Sequence, residues 1–129
     1  MIQRYVVVDD DIINNELCRF VIEEVFPRAD IETFTDPGKA LVYIESTYID
    51  INAPDAVVLL DINMPTLSGW EFLEAFEQFD ERVKEKLKVY MLSSSVDPLD
   101  SVRAKSNKYV LDYIEKPLTS ERVKILASK

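Results

Sequence analysis

The run AVVLLD at residues 56–61 is the feature that most restricts how this chain can fold. Its five consecutive apolar residues lack the alternation of apolar and polar positions that marks a strand with one solvated face. Such a strand has to be covered on both sides, as happens at the centre of a parallel sheet with helices on both faces. We therefore predict a central, fully covered strand at 56–61.

The rest of the chain alternates between strand-like and helix-like segments. Four further short apolar or alternating runs predict strands, at 5–8, 31–34, 88–93 and 109–116. Apolar residues at helical spacing predict five helices, at 12–26, 36–47, 68–79, 97–106 and 119–128. Five alternations of this kind predict one doubly wound α/β domain over residues 1–129, with helices on both faces of a parallel sheet.

Local signals fix where several helices begin. Asp11, Asp36 and Thr119 stand where N-cap residues are expected, and Pro37 suits the first position of its helix. The charged run ERVKEKLK at 81–88 is interpreted as a solvated loop or helix end. The apolar stripe of the first helix is read from residues at near-helical spacing: Ile13, Leu17, Phe20, Val21 and Val25.

Composition excludes several classes of function. The net charge is −9, and an acidic chain without clustered Lys and Arg is not expected to bind nucleic acid. The chain has no histidine, which excludes Ser-His-Asp and Cys-His catalysis and histidine-ligated zinc. The two glycines cannot form a Gly-rich phosphate loop. A lone cysteine, Cys18, and the lack of a long apolar run predict a cytoplasmic protein that does not enter the membrane.

Polar residues follow four of the predicted strands at the point where each ends. They are Asp9 and Asp10, Asp61, Ser93 and Lys116, after the first, third, fourth and fifth strands respectively. The carboxyl ends of parallel strands meet at one edge of the sheet, so these side chains are predicted to converge. The second strand ends only on Thr35 and Asp36, which suits a strand at the sheet margin.

The chemistry of this set points to a metal and a phosphoryl group. Three clustered carboxylates ionise together only if a cation lies among them, and oxygen ligands select a hard ion such as Mg²⁺ or Ca²⁺. An amine and a hydroxyl beside that ion suit the oxygens of a phosphoryl group. Aspartate is also a competent nucleophile toward phosphorus.

Four segments together resemble a known family. VVVDDD, VVLLDINMPTLSG, VYMLSSS and DYIEKPL occur in the order and spacing of the receiver domain (CheY-like) of bacterial two-component response regulators. The resemblance covers nearly the whole chain, and it implies a flavodoxin-like five-stranded parallel sheet in the order 2-1-3-4-5.

The resemblance also implies roles for the acidic residues. Asp61 would be the phosphoacceptor, Asp10 a direct Mg²⁺ ligand and Asp9 its water-bridged companion. Asn63 would offer its backbone carbonyl to the same ion. Asp11 matches no role in the family and is interpreted as the cap of the first helix.

The remaining assignments concern the phosphoryl oxygens and the switch. Ser93 and Lys116 resemble the hydroxyl and the amine that hold those oxygens, and Tyr113 resembles the aromatic switch. Pro117 stands where the family usually has a cis peptide bond, and the small Ser94 would leave the acceptor accessible.

Two further expectations concern neighbouring loops. Asn63 and Ser95 flank the site and are expected to tune the lifetime of the acyl phosphate. Many receivers have a Gly-Ala turn before the last strand; here the chain reads AKSNKYVLDY, and Asn107 is expected to take the left-handed conformation instead.

The resemblance implies a signalling protein that acts through partners. A histidine kinase or a histidine phosphotransfer protein would donate the phosphoryl group, since this chain has no histidine. A downstream protein would bind the face formed by the helix at 97–106, the strand at 109–116 and the helix at 119–128. We expect a stand-alone receiver without an output domain, either monomeric or dimerising on phosphorylation.

Two rival functions remain at this point. A haloacid-dehalogenase-type phosphohydrolase also uses an aspartate at a strand end, but it needs a second acid two residues later, where this chain has Asn63. A degenerate receiver would bind partners without being phosphorylated, although the complete set of acidic, hydroxyl and amine residues argues against it.

Overall fold

Five parallel strands form one sheet in the order β2-β1-β3-β4-β5. The computed structural model describes residues 4–94 and 97–128. The predicted strand order, with the second strand at the margin, is confirmed. The strands are β1 (Arg4–Val8), β2 (Asp30–Phe34), β3 (Ala56–Asp61), β4 (Leu87–Ser93) and β5 (Val110–Glu115).

The central strand is β3, as the apolar run predicts. All six of its residues are buried, and it pairs with β1 on one side and β4 on the other. Its side chains enter the cores on both faces of the sheet, so β3 has no solvated side. The terminal residue of β3, Asp61, is therefore carried to the sheet edge by the most buried strand of the fold.

The described part of the chain has six helices, one more than predicted. The additional helix is a single turn within the charged run ERVKEKLK. Asp80 caps this turn by accepting the N–H of Arg82, and the fully buried Val83 anchors it, although its neighbours are charged. The helices are α1 (Ile12–Val25), α2 (Pro37–Tyr48), α3 (Gly69–Glu77), α4 (Glu81–Lys84), α5 (Pro98–Ser106) and α6 (Ser120–Ala127).

The predicted helix starts are confirmed by side-chain caps. The carboxylates of Asp11 and Asp36 accept N–H groups in the first turns of α1 and α2, and the Thr119 hydroxyl accepts one in α6. Each cap satisfies a donor that has no partner inside its helix.

The helices cover both faces of the sheet. The buried residues of α1 and α6 pack on one face, in a cluster that includes Ile22 and Val123. Helices α2, α3, α4 and α5 pack on the other face, in a cluster that includes Ile44 and Phe72. Within residues 4–94 and 97–128, none of these helices combines the length and the hydropathy needed to cross a membrane.

Helix α1 turns only part of its predicted apolar stripe to the sheet: Val21 and Val25 pack against the core, but the other three residues do not. Ile13, Leu17 and Phe20 are 68%, 50% and 63% exposed. The helix carries apolar residues on more than one side, and two asparagines on its inner side donate to Asp9 at the sheet edge. The residues buried against the sheet are Asn14, Asn15, Cys18 and Ile22.

The expectation of a left-handed Asn107 is wrong. Its backbone is extended, with φ of −86° and ψ of 123°, at the end of α5. The side chain replaces the turn that a left-handed residue would form, because Asn107 Oδ1 accepts the N–H of Tyr109 at 2.9 Å. The chain can therefore leave the helix in an ordinary backbone conformation.

Candidate functional site

The strand ends bring the predicted polar residues to one edge of the sheet. Asp9 follows β1, Asp61 ends β3 and Ser93 ends β4. Lys116 follows β5, and its backbone N–H donates to the backbone carbonyl of Ser93 at 2.8 Å. The parallel topology thus places four separate chain segments around one point.

Lys116 lies between two carboxylates. Its Nζ is 2.7 Å from Asp9 Oδ2 and 3.2 Å from Asp61 Oδ1. Both aspartates are buried, with 1% and 5% of their surface exposed. Charge-assisted hydrogen bonds of this length offset part of the cost of burying two like charges together.

Asp10 completes an acidic cluster with these two aspartates. One carboxylate oxygen from each of Asp9, Asp10 and Asp61 lies within 4.8 Å of the other two. Asp10 is exposed while its two companions are buried, so the cluster opens to solvent on one side. Three converging carboxylates with a solvent-facing side fit a hard divalent cation that retains water ligands. Asp11 is not part of the cluster, because its carboxylate accepts the N–H of Ile13 at 2.9 Å.

The surroundings of Asp61 raise the pKa of its carboxyl group from the ordinary value of 3.8 to about 6. Burial is the largest cause, followed by the negative charge of Asp9, and Lys116 opposes both. For Lys116, burial alone would lower the pKa, but the hydrogen bond and charge of Asp9 and the charge of Asp61 outweigh it and the pKa is raised. Asp61 is thus ionised at neutral pH, beside a lysine that keeps its proton.

Comparison with known proteins shows which family the chain belongs to. A family model for the response regulator receiver domain matches residues 5–127. The chain belongs to the response regulator receiver family. It is therefore a signalling domain of the two-component type.

Solved receivers share its whole fold. A two-component response regulator from Cytophaga hutchinsonii is 32% identical, with a TM-score of 0.89, over 98% of this chain and 95% of that one. A response regulator receiver protein from Dyadobacter fermentans is 26% identical, with a TM-score of 0.88, over 97% of this chain and 94% of that one.

A curated relative is a longer protein. Stress response regulator protein 1 of the yeast Meyerozyma guilliermondii is 35% identical over 75 residues, which are 58% of this chain and 32% of that protein. The matched segment thus spans about a third of the relative's length. Similar proteins occur in both bacteria and yeasts, and the bacterial origin stays a prediction.

Asp9 of this receiver is held by neighbours that the sequence did not point to. Its Oδ2 accepts from Asn14 Nδ2 at 2.7 Å, and its Oδ1 accepts the N–H of Asp11 at 2.9 Å. Its backbone carbonyl accepts from Asn15 Nδ2 at 3.0 Å. Two adjacent asparagines in the first turn of a helix are a weak signal, because asparagine is equally common in solvated helix starts.

The receiver's loop after β3 lies close to the end of that strand. The N–H of Gly69 donates to the carbonyl of Ile62 at 2.8 Å, which folds α3 back against the end of β3. Asn63 is exposed in this loop, next to the acidic cluster in sequence, while Met64 is buried. In this loop, the polar Asn63 therefore faces solvent and the apolar Met64 packs in the core.

The predicted switch residues lie on the two strands beyond β3. Ser93 is 1% exposed, and Tyr113 is half-buried in β5, where it pairs in register with Met91 of β4. The Lys116–Pro117 peptide bond is cis, as the resemblance implies. Ser94 is exposed, and Ser95 lies outside the described residues.

Proposed function

We propose that this receiver accepts a phosphoryl group onto Asp61 from a phosphohistidine of another protein, with Mg²⁺ as the cofactor. The observation that supports it best is the position of the Asp61 carboxylate, at the end of the buried central strand and 3.2 Å from the ammonium of Lys116. The donor histidine belongs to a partner, a histidine kinase or a histidine phosphotransfer protein, because this chain has none.

The transfer is a displacement at phosphorus. A carboxylate oxygen of Asp61 forms a bond to phosphorus while the phosphorus–nitrogen bond of the donor breaks, and the imidazole nitrogen keeps the electron pair. The product is an acyl phosphate on Asp61 and a free histidine on the partner. A pKa of about 6 leaves Asp61 ionised, and so nucleophilic, near neutral pH.

Other residues of the site would bind the metal ion and the phosphoryl oxygens. The carboxylates of Asp9, Asp10 and Asp61 and the backbone carbonyl of Asn63 would hold Mg²⁺, which neutralises negative charge on the phosphoryl oxygens when it is bound. Lys116 exchanges one of its two carboxylate partners for a phosphoryl oxygen. The Ser93 hydroxyl donates to a second phosphoryl oxygen.

Phosphorylation is communicated to protein partners through the surface formed by α5, β5 and α6. When Ser93 turns to the phosphoryl group, Tyr113 moves inward and this surface changes its affinity for a downstream protein or for a second copy of the receiver. Four apolar side chains are 44–78% exposed on these three elements, as a protein-binding surface requires: Leu99, Val102, Leu111 and Ile125. We propose a cytoplasmic receiver whose partners are proteins, with no contact to nucleic acid or membrane.

The test is phosphorylation by a small-molecule donor. Wild type incubated with acetyl phosphate and Mg²⁺ should gain one hydroxylamine-sensitive phosphoryl group, detected by intact-mass spectrometry, and Asp61→Asn should gain none. Asp11→Asn, which removes a neighbouring charge but keeps a capping side chain, should be labelled like wild type. Labelling of Asp61→Asn at another residue would exclude Asp61 as the acceptor, and many turnovers of a phosphate ester by wild type would favour a phosphohydrolase.

A further inference from the structure

Asn14 binds the same carboxylate oxygen as the lysine of the site. Asp9 Oδ2 accepts from Asn14 Nδ2 at 2.7 Å and from Lys116 Nζ at 2.7 Å. Asn14 is 8% exposed, although it lies in the first turn of α1, where an asparagine would ordinarily face solvent. Asparagine has a lower helix propensity than most residues, and a buried amide needs a hydrogen-bond partner. The contact with Asp9 supplies that partner.

The two donors differ in what else they do. Lys116 also bonds to Asp61 and, in the proposed function, moves to a phosphoryl oxygen. Asn14 stays with α1, and its amide also contacts Cys18 Sγ, one turn further along, at 3.7 Å. Only one of the two donors on Asp9 Oδ2 is therefore free to leave during the transfer.

We infer that Asn14 is a positioning residue that keeps the Asp9 carboxylate aimed at the cation, both in the free receiver and when Lys116 turns to the phosphoryl group. Without Asn14, the departure of Lys116 leaves Asp9 Oδ2 buried with no protein donor among the described residues, and the carboxylate rotates to find another. Residues that orient a metal-binding carboxylate typically change metal affinity by about tenfold or more. This inference rests on the proposed Mg²⁺ site and adds a residue that acts through Asp9.

The experiment compares Mg²⁺ binding in Asn14→Leu and Ile22→Val. Both positions are buried on the same face of α1, but only Asn14 bonds to the Asp9 carboxylate. Titration calorimetry with MgCl2, at ionic strength held constant with NaCl, should give a dissociation constant at least about tenfold higher for Asn14→Leu than for wild type. Ile22→Val should lower the melting temperature in EDTA and leave the Mg²⁺ dissociation constant within about twofold of wild type.

A second comparison tests the two residues, Asn14 and Lys116, that donate to the same oxygen of Asp9. In a Lys116→Met background, Asp9 Oδ2 has already lost one of its two donors, so Asn14→Leu should weaken Mg²⁺ binding by a larger factor than it does alone. An equal factor in both backgrounds would contradict the idea that Asn14 and Lys116 substitute for each other on Asp9.

The possible outcomes distinguish failure of the inference about Asn14 from failure of the proposed function. If wild type binds Mg²⁺ and folded Asn14→Leu binds it within about twofold, the role of Asn14 is overturned and the proposed function stands. If wild type binds no Mg²⁺ beyond the ionic-strength control, both are overturned. If Asn14→Leu does not fold, Asn14→Ala is judged by the same criterion.

Discussion

Gly69 lies so close to the end of β3 that a Cβ atom at this position would be 2.6 Å from the backbone oxygen of Asp61. The same atom would be 2.9 Å from Met91 Cε, so a side chain here meets obstacles on two sides. The obstacle at Asp61 is backbone rather than a mobile side chain, and it cannot yield without moving the acceptor.

Gly69→Ala should therefore destabilise the protein by about 1–3 kcal/mol and lower its melting temperature by several degrees. Gly38→Ala is the matched control, because the added atom meets only a side-chain oxygen of Asp36 at 3.3 Å, and alanine favours a helix over glycine by up to about 1 kcal/mol. A melting temperature that is equal in the two variants would show that the loop after β3 can shift without loss.

Lys116→Met should destabilise the metal-free protein, because Asp9 and Asp61 would lose the cation between them. Lys116 retains partial exposure, so we expect about 1–3 kcal/mol from urea unfolding in EDTA, less than for a fully buried pair. Lys124→Met, on the exposed side of α6, should change stability by less than about 0.5 kcal/mol. An effect no larger than that of Lys124→Met would mean that solvent screens this cluster completely.

The raised pKa of Asp61 predicts a pH-dependent difference between wild type and Asp61→Asn. The native carboxyl group binds its proton more tightly than the unfolded one, so its contribution to stability is present at low pH and is lost as pH rises from about 4 to about 6. In EDTA, Asp61→Asn should thus match wild type near pH 4 and exceed it above pH 6 by about 1–3 kcal/mol, where two pKa units correspond to about 3 kcal/mol. Melting curves across this range check the sign, and a gap that narrows with rising pH would contradict it.

Mg²⁺ should stabilise the protein more than NaCl of equal ionic strength does. At a concentration about tenfold above its dissociation constant, a bound ion adds about 1.4 kcal/mol to the free energy of unfolding. Asp10→Asn should abolish this gain, while Asp11→Asn should retain it, because Asp10 lies in the acidic cluster and Asp11 caps α1. Equal responses of the two variants would place the ion elsewhere.

The exposure pattern of α1 can be tested with two neighbouring substitutions. Phe20→Ser should change stability by less than about 0.5 kcal/mol, since Phe20 is 63% exposed. Ile22→Ala should cost about 2–5 kcal/mol, since Ile22 is fully buried. Chemical denaturation of both variants decides between this orientation of α1 and the one expected from its apolar pattern.

The sheet and the helix starts were predictable because each depends on local chemistry. The continuous apolar run of β3 requires cover on both sides, and Asp11, Asp36 and Thr119 each cap the helix that follows directly. The convergence of Asp9, Asp61 and Lys116 followed from the topology, since strands that run in parallel end at one edge.

The features that escaped prediction depend on tertiary context. Residues Ile13 and Leu17 look like core residues by spacing, but the buried side of α1 carries Asn14, whose amide donates to Asp9. Helix α4 has a single buried residue, Val83, among charged neighbours, and one apolar position is too weak a pattern to distinguish a helix from a loop. Asn107 forms its turn through a hydrogen bond from the N–H of Tyr109 to its side chain. Asparagine can form this turn or adopt the left-handed conformation, so the residue type alone does not decide between them.

The strand order has a consequence for how such a site can diversify. Asp61 ends the central strand, with the carboxylates Asp9 and Asp10 on the β1 side and Ser93 at the end of β4 on the other side. Groups suited to a cation and groups suited to a phosphoryl oxygen therefore lie on opposite sides of Asp61, and Lys116 contacts both sides, through its Nζ to Asp9 and its backbone N–H to the Ser93 carbonyl. If the proposed function is correct, substitutions on one side would change the preference for the ion and those on the other the persistence of the acyl phosphate, so the two properties could evolve separately.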